Sequence, residues 1–274
     1  MAGAVGAAIH GPIVQDPSYH RFADQRVLFG IPNFWNVVSN LPFLAVAVLG
    51  ACMLHRGNCT GVLAPLRRSY AVLFFATAFI GFGSSFYHLD PTDFRLVWDR
   101  LPMTLAFMAF LSIIIGEHID PSAGQAALLP LLIVGLASAL WWWFGGDLRA
   151  YVLIQYLPFL LVPLILMLFP SRLSHPGFIW GVLVAYALAK GFEVSDNRIY
   201  QMTGVSGHAL KHLTAASGIS LLLRAIKYRY PLEIDDRHRR GHPSGNGVEP
   251  AALPGPRTRC RRAPGVPPRA RGGA

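Results

Sequence analysis

The sequence predicts an all-α membrane protein, a seven-transmembrane helical bundle. Two observations carry that expectation. Of the 274 residues, 53% are hydrophobic and only 14% are charged, with a mean hydropathy of +0.41. Soluble domains are about 25% charged. Apolar runs of about 20 residues also recur along most of the chain, each long enough to cross a hydrocarbon core of roughly 30 Å. The 21 Pro and 27 Gly do not oppose this, because many fall in loops and in the tail and membrane helices tolerate the rest.

In chain order the predicted spans are 33–55, 69–89, 97–117, 124–144, 150–170, 177–195 and 206–226. Residues 1–32 precede them as an extramembrane segment, polar and laced with aromatics from Asp16 to Arg26. Residues 227–274 follow them, rich in Arg, Pro and Gly, and read as a disordered basic cytoplasmic tail. Met1 to Gln15 is small and apolar but lacks the basic leader of a cleavable signal peptide. The cysteines, Cys52 in a span, Cys59 in a loop and Cys260 in the tail, form neither a disulfide framework nor a thiolate zinc site.

Orientation follows from basic residues near the span ends. Arg56, Arg67, Arg68, Arg224, Lys227 and Arg229 cluster on one side and continue into the tail. The opposite side holds the more scattered Arg21, Arg26, Arg95, Arg100, Arg149 and Arg198. The N-terminus is therefore expected outside and the C-terminus in the cytoplasm. The net charge of +10 sits mostly in the tail and suits an anionic inner leaflet; nucleic acid is not an expected partner.

Polar side chains inside spans are expensive and mark candidate sites. His208 and His212, four apart at the start of the last span, face the same way, a spacing at which two imidazoles can share a metal ion. Alternating span direction brings His88, at the end of the second span, and Asp99, at the start of the third, to the same depth. Ser84 lies one turn before His88 on the same face, whereas His55, His118 and His175 fall on the other side. Taken singly these residues read as hydrogen-bonded helix contacts. Taken together, three neutral imidazoles with one open position have the ligand count of a catalytic zinc, and a nearby Asp can orient or deprotonate water. On the sixth span Lys190, Glu193 and Asp196 recur every three residues. They read either as an internal ion pair or as polar head-group recognition, with Lys211 a partner for Glu193 or Asp196. Asn36 and Asn40 are expected to tie the first span to its neighbours.

The motif Gly83-Ser84-Ser85-Phe86-Tyr87-His88, then Asp99, then His208-x-x-x-His212, with Phe34-Trp35-Asn36-Val37-Val38-Ser39-Asn40-Leu41 on the first span, resembles the alkaline ceramidases. These belong to a larger seven-pass group that includes the adiponectin receptors. The resemblance covers roughly residues 16–226 and implies an intramembrane zinc amidase. Its zinc would be held by His88, His208 and His212, with Ser84 and Asp99 at the remaining site positions. The implied reaction is hydrolysis of ceramide-like lipid amides, taken from the bilayer, to a long-chain base and a fatty acid. The family's calcium site has a Glu just before Phe-Trp-Asn; here that position is Asn33, and calcium is not expected. A rival expectation is a non-catalytic receptor or regulator in which zinc only clamps the spans. A transporter using Lys190, Glu193 and Asp196 as a relay is a third.

Overall fold

The structure, a computed structural model, describes residues 11–232. Its helices are α1 (Phe34–Val38), α2 (Leu41–His55), α3 (Arg67–Leu89), α4 (Asp93–His118), α5 (Pro121–Gly145), α6 (Arg149–Leu168), α7 (Gly177–Val194), α8 (Asp196–Thr203) and α9 (Gly207–Tyr228). Two short 3₁₀ turns, Pro17–His20 and Ala64–Leu66, complete the described elements, which include isolated bridges but no strand. The all-α expectation holds.

Among the described residues, six helical stretches are long and apolar enough to cross a membrane: Phe34–His55, Ala64–Leu89, Asp93–His118, Pro121–Gly145, Arg149–Leu168 and Gly177–Val194. The expected seventh, α9, has 22 residues and so reaches about 33 Å. It is long enough, but Lys211, Arg224, Lys227 and the two histidines dilute its hydropathy. The first span is not one rod. The chain breaks at Ser39 and Asn40 between α1 and α2, and Pro42 sits at the start of the second piece.

Helix ends follow their local chemistry. The Thr92 hydroxyl accepts the Arg95 amide at the start of α4, Asp120 accepts the amides of Ser122 and Ala123 at the start of α5, and Ser206 accepts that of Ala209 at the start of α9. Helices α5 and α8 end in glycines with left-handed backbone, Gly146 and Gly204.

Helix α4 is central: 72% of its apolar window is buried, against 22% for α5 and for α7. Around it Tyr70, Phe74, Met108, Ile113, Ile154, Val162, Ile179 and Leu222 form a core drawn from several helices. The outer faces carry Phe75, Phe79, Phe82, Leu129, Ile133, Leu160, Leu164, Val184 and Leu188, all exposed. An apolar surface this continuous is suited to lipid rather than water.

Two features fix the ends of the bundle. At one end residues 11–32 lie across the helices as an irregular strap. Ile13 accepts from the Leu148 amide, Gln15 takes a hydrogen bond from Arg100, and the Ala23 amide donates to Asp196. At the other end Arg229 is fully buried, donating to Glu117 Oε2 at 2.8 Å and to the Ser174 carbonyl at 3.0 Å. Tyr70 donates to the second Glu117 oxygen at 2.6 Å. Ordered contacts therefore extend past the expected tail boundary at 227, to the Leu232 amide on the Arg172 carbonyl. The rest of the expected basic tail lies outside the described residues.

Candidate metal centre

Helices α3 and α4 touch backbone to backbone at Gly83, where a Cβ would lie 2.0 Å from the Trp98 carbonyl oxygen. That contact brings Ser84 and Asp99 to the wall of one cavity. Gly207 does the same for α9, since a Cβ there would meet the Phe192 carbonyl at 2.6 Å. Asp196 then fixes the first turn of α9. Its Oδ1 accepts from the His208 amide at 2.9 Å and from the Ser206 hydroxyl at 3.0 Å.

The result is a cluster of three imidazoles. Ligand atoms of His88, His208 and His212 lie within 4.8 Å of one another, and all three residues are buried. Their ring centroids are 4.8–4.9 Å apart. Both ring nitrogens of His88 and Nε2 of His208 have no hydrogen-bond partner. Buried polar atoms are satisfied in the great majority of cases, so unpartnered nitrogens on His88 and His208 fit a cation to which each ring offers one nitrogen. The donor set, three neutral imidazoles, is one that zinc takes with an open fourth position.

His212 is oriented from α1. Ser39 Oγ donates to the Asn36 carbonyl at 3.2 Å and lies 2.8 Å from His212 Nδ1. With its proton directed at Asn36, that hydroxyl accepts from Nδ1–H, which leaves the Nε2 lone pair of His212 free for a ligand bond. Phe22 of the strap covers the cluster, its ring centroid 4.7 Å from those of both His88 and His208.

Beside the histidines opens a cavity of about 150 Å³. Its wall is mostly apolar, including Leu73, Phe110, Val182 and Leu222, and its polar lining includes Ser84, Asp99, Lys190, Glu193, Lys211 and His212. Ser84 and Asp99 are both buried and line the same cavity. Glu193 bridges two ammoniums, Lys190 at 2.5 Å and Lys211 at 3.0 Å.

The structure thus brings together His88, His208, His212, Ser84 and Asp99, with Lys190 and Glu193 on the same cavity wall. It separates Asp196 from that wall, because both Asp196 oxygens are taken by backbone amides and Ser206. Asn36 ties α1 to its surroundings through the Asp24 carbonyl and the Ser206 hydroxyl; Asn40 donates only within its own turn. His118, on the far side, is held to the Phe169 carbonyl.

Ser39, Phe22 and Arg100 were not singled out from the sequence. Arg100 is buried beneath the strap, its guanidinium 4.1 Å from the Trp142 ring and 4.7 Å from that of Tyr151. In the segment where calcium was not expected, Asp24 gives both oxygens to Arg26. Burial alone would raise the Asp24 carboxyl, but the Arg26 hydrogen bonds hold it below its usual range. At the departure position, the Asn33 amide donates to the His88 carbonyl at 2.9 Å.

No curated protein matches the chain. A ceramidase family model matches residues 26–174, more than half of the sequence, and its reach includes Ser84, His88 and Asp99 but stops before α9. By that match this multi-pass helical membrane protein belongs to the ceramidase family, the hydrolases that cleave the amide bond of ceramide.

Proposed function

We propose that the chain is an intramembrane zinc-dependent amidase hydrolysing ceramide-like lipid amides to a long-chain base and a fatty acid. The observation that carries this reading is the trio of buried imidazoles, with orphaned nitrogens on His88 and His208, beside an apolar cavity lined also by Ser84 and Asp99. His88, His208 and His212 hold the ion. When bound, zinc supplies Lewis acidity that polarises a carbonyl oxygen and acidifies water.

The chain's own residues do the rest. The Asp99 carboxylate takes the proton of the attacking water and then delivers it to the amide nitrogen as the C–N bond breaks. Ser84 Oγ–H donates to the carbonyl oxygen as negative charge grows there. Phe22 and the strap keep bulk water off the imidazoles, and the apolar wall accommodates the acyl chain. Seven passes would leave the termini on opposite sides, and the basic cluster of Arg56, Arg67, Arg68, Arg224, Lys227 and Arg229 supports a cytoplasmic C-terminus facing an anionic lipid surface and an outer N-terminus.

The test uses purified full-length protein and fluorescent ceramide. Turnover is expected, with loss on chelation and in His208→Ala. Absent turnover with metal supplied, or undiminished turnover in His208→Ala, overturns the reading. Asp99→Asn separates catalysis from a merely structural ion, because metal content should persist while hydrolysis is lost.

A further inference from the structure

We propose that the turn from Leu28 to Ile31 anchors the strap in the bilayer, with Phe29 entering the lipid interface at the metal end of the bundle. The proposal stands apart from the chemistry at the centre. Two residues, Phe29 and Gly30, make the turn between paired backbone hydrogen bonds. The Leu28 amide donates to the Ile31 carbonyl at 3.2 Å, and the Ile31 amide to the Leu28 carbonyl at 2.9 Å. Phe29 and Gly30 both have positive φ, 54° and 76°. A two-residue turn of this hand favours Asn, Asp or Gly at its first position. A bulky aromatic there is strained, and Phe29 is 92% exposed. Among the described residues its one ring partner is Phe34. Strain of this kind persists where something compensates it. Water offers an exposed phenyl ring no compensation; lipid does.

Depth points the same way. The Phe34 amide donates to the Arg26 carbonyl at 3.1 Å, which closes residues 27–33 into a loop at the head of the first membrane stretch, Phe34–His55. The Phe29 ring centroid lies 5.7 Å from that of Phe34, and the Phe34 centroid 5.2 Å from that of Trp35. The polar layer on each side of the hydrocarbon core is about 5–8 Å thick, so a ring this close to the first residue of a span falls within it. Aromatic side chains, Trp above all, favour that layer. Val27 and Trp35 are exposed too, and further along the same stretch so are Leu41, Val48 and Leu49. The patch therefore continues the lipid-facing surface of the bundle. A second copy of the chain fits it less well, because three side chains fall short of the roughly 800 Å² that each partner gives a standard interface. The turn belongs to the segment expected to be extramembrane, and its tip alone enters lipid. From that tip the strap leads back to Phe22 above the imidazoles.

Fluorescence quenching in phosphatidylcholine vesicles tests this on the full-length chain, with Cys52, Cys59 and Cys260 changed to serine. A single fluorophore is attached at Phe29→Cys, at Val27→Cys or, as a control on the exposed polar part of the strap, at Ser18→Cys. At positions 27 and 29, lipids bearing a nitroxide just below the head group should quench strongly. Aqueous iodide should quench there several-fold less than at position 18. Iodide quenching equal to that at position 18, with no effect of the nitroxide lipid, puts the turn in water and overturns the proposal. Protection from iodide without nitroxide quenching would mean that protein, such as a second copy of the chain, covers the turn, and overturns it as well. Should one labelled variant fail to fold, the other decides alone. Phe29→Asn suits the left-handed position but removes the ring. With the label at position 27, it should cut the nitroxide quenching several-fold. Undiminished quenching there would show that Phe29 is not the anchor.

Discussion

Ser39 decides which nitrogen His212 offers. Its hydroxyl proton is directed at the Asn36 carbonyl, so its lone pair faces Nδ1. Removing such a partner typically weakens metal binding by roughly 10–100-fold. Ser39→Ala should show that loss in chelator competition while keeping its helical content. The histidines themselves were legible, because i,i+4 spacing and alternating span direction need only the existence of helices. Ser39 and Phe22 were not, because each meets the centre through tertiary packing that no local pattern encodes. Asp196 shows the opposite failure. It shares a three-residue spacing with Lys190 and Glu193, but the helix ends at Val194 and restarts at Asp196. The periodicity does not carry through that break, and Asp196 turns to cap α9.

At the scale of elements, the centre depends on how closely α3 approaches α4. Gly83→Ala puts a methyl group against the Trp98 carbonyl, a backbone atom that cannot swing aside. Overpacking of this kind costs about 1–3 kcal/mol. The melting temperature in detergent should drop, and metal retention should weaken with it, because Ser84 and His88 ride on the displaced helix. A melting curve indistinguishable from wild type would show that the two backbones can separate freely. The spans were readable from hydropathy, since lipid imposes its length on each helix. The break in the first span was less so: apolar residues run through it, and the break is made by Ser39 and Asn40 turning inward. The last span, 206–226, was read with the others as an apolar run, although Lys211, Arg224 and Lys227 dilute the hydropathy of α9.

Taken whole, the molecule is fastened at both ends. Arg229→Met leaves Glu117 buried without its counter-charge, which costs about 3–5 kcal/mol. Adding Glu117→Gln should recover part of that loss in denaturant titration, and an additive double variant would refute the pairing. The strap has an acid-sensitive point. Asp147 accepts from the Ile13 amide, and the Arg149 hydrogen bond, ahead of opposing burial, brings its carboxyl from 3.8 to about 2. A group depressed on folding stabilises the fold above its ordinary value and loses that contribution as pH falls through the folded one. Ile13 should therefore stay protected from hydrogen exchange above pH 3.8 and lose protection as pH falls toward about 2. Constant protection over that interval would detach Asp147 from the strap. The order of biosynthesis follows from the same architecture. His88 leaves the ribosome long before His208 and His212, and Ser39 earlier still. The centre cannot close until the last helix has inserted, so a chain halted before Gly207 keeps its early histidine without companions. Such fragments should be cleared by membrane proteolysis rather than persist as partly active enzyme.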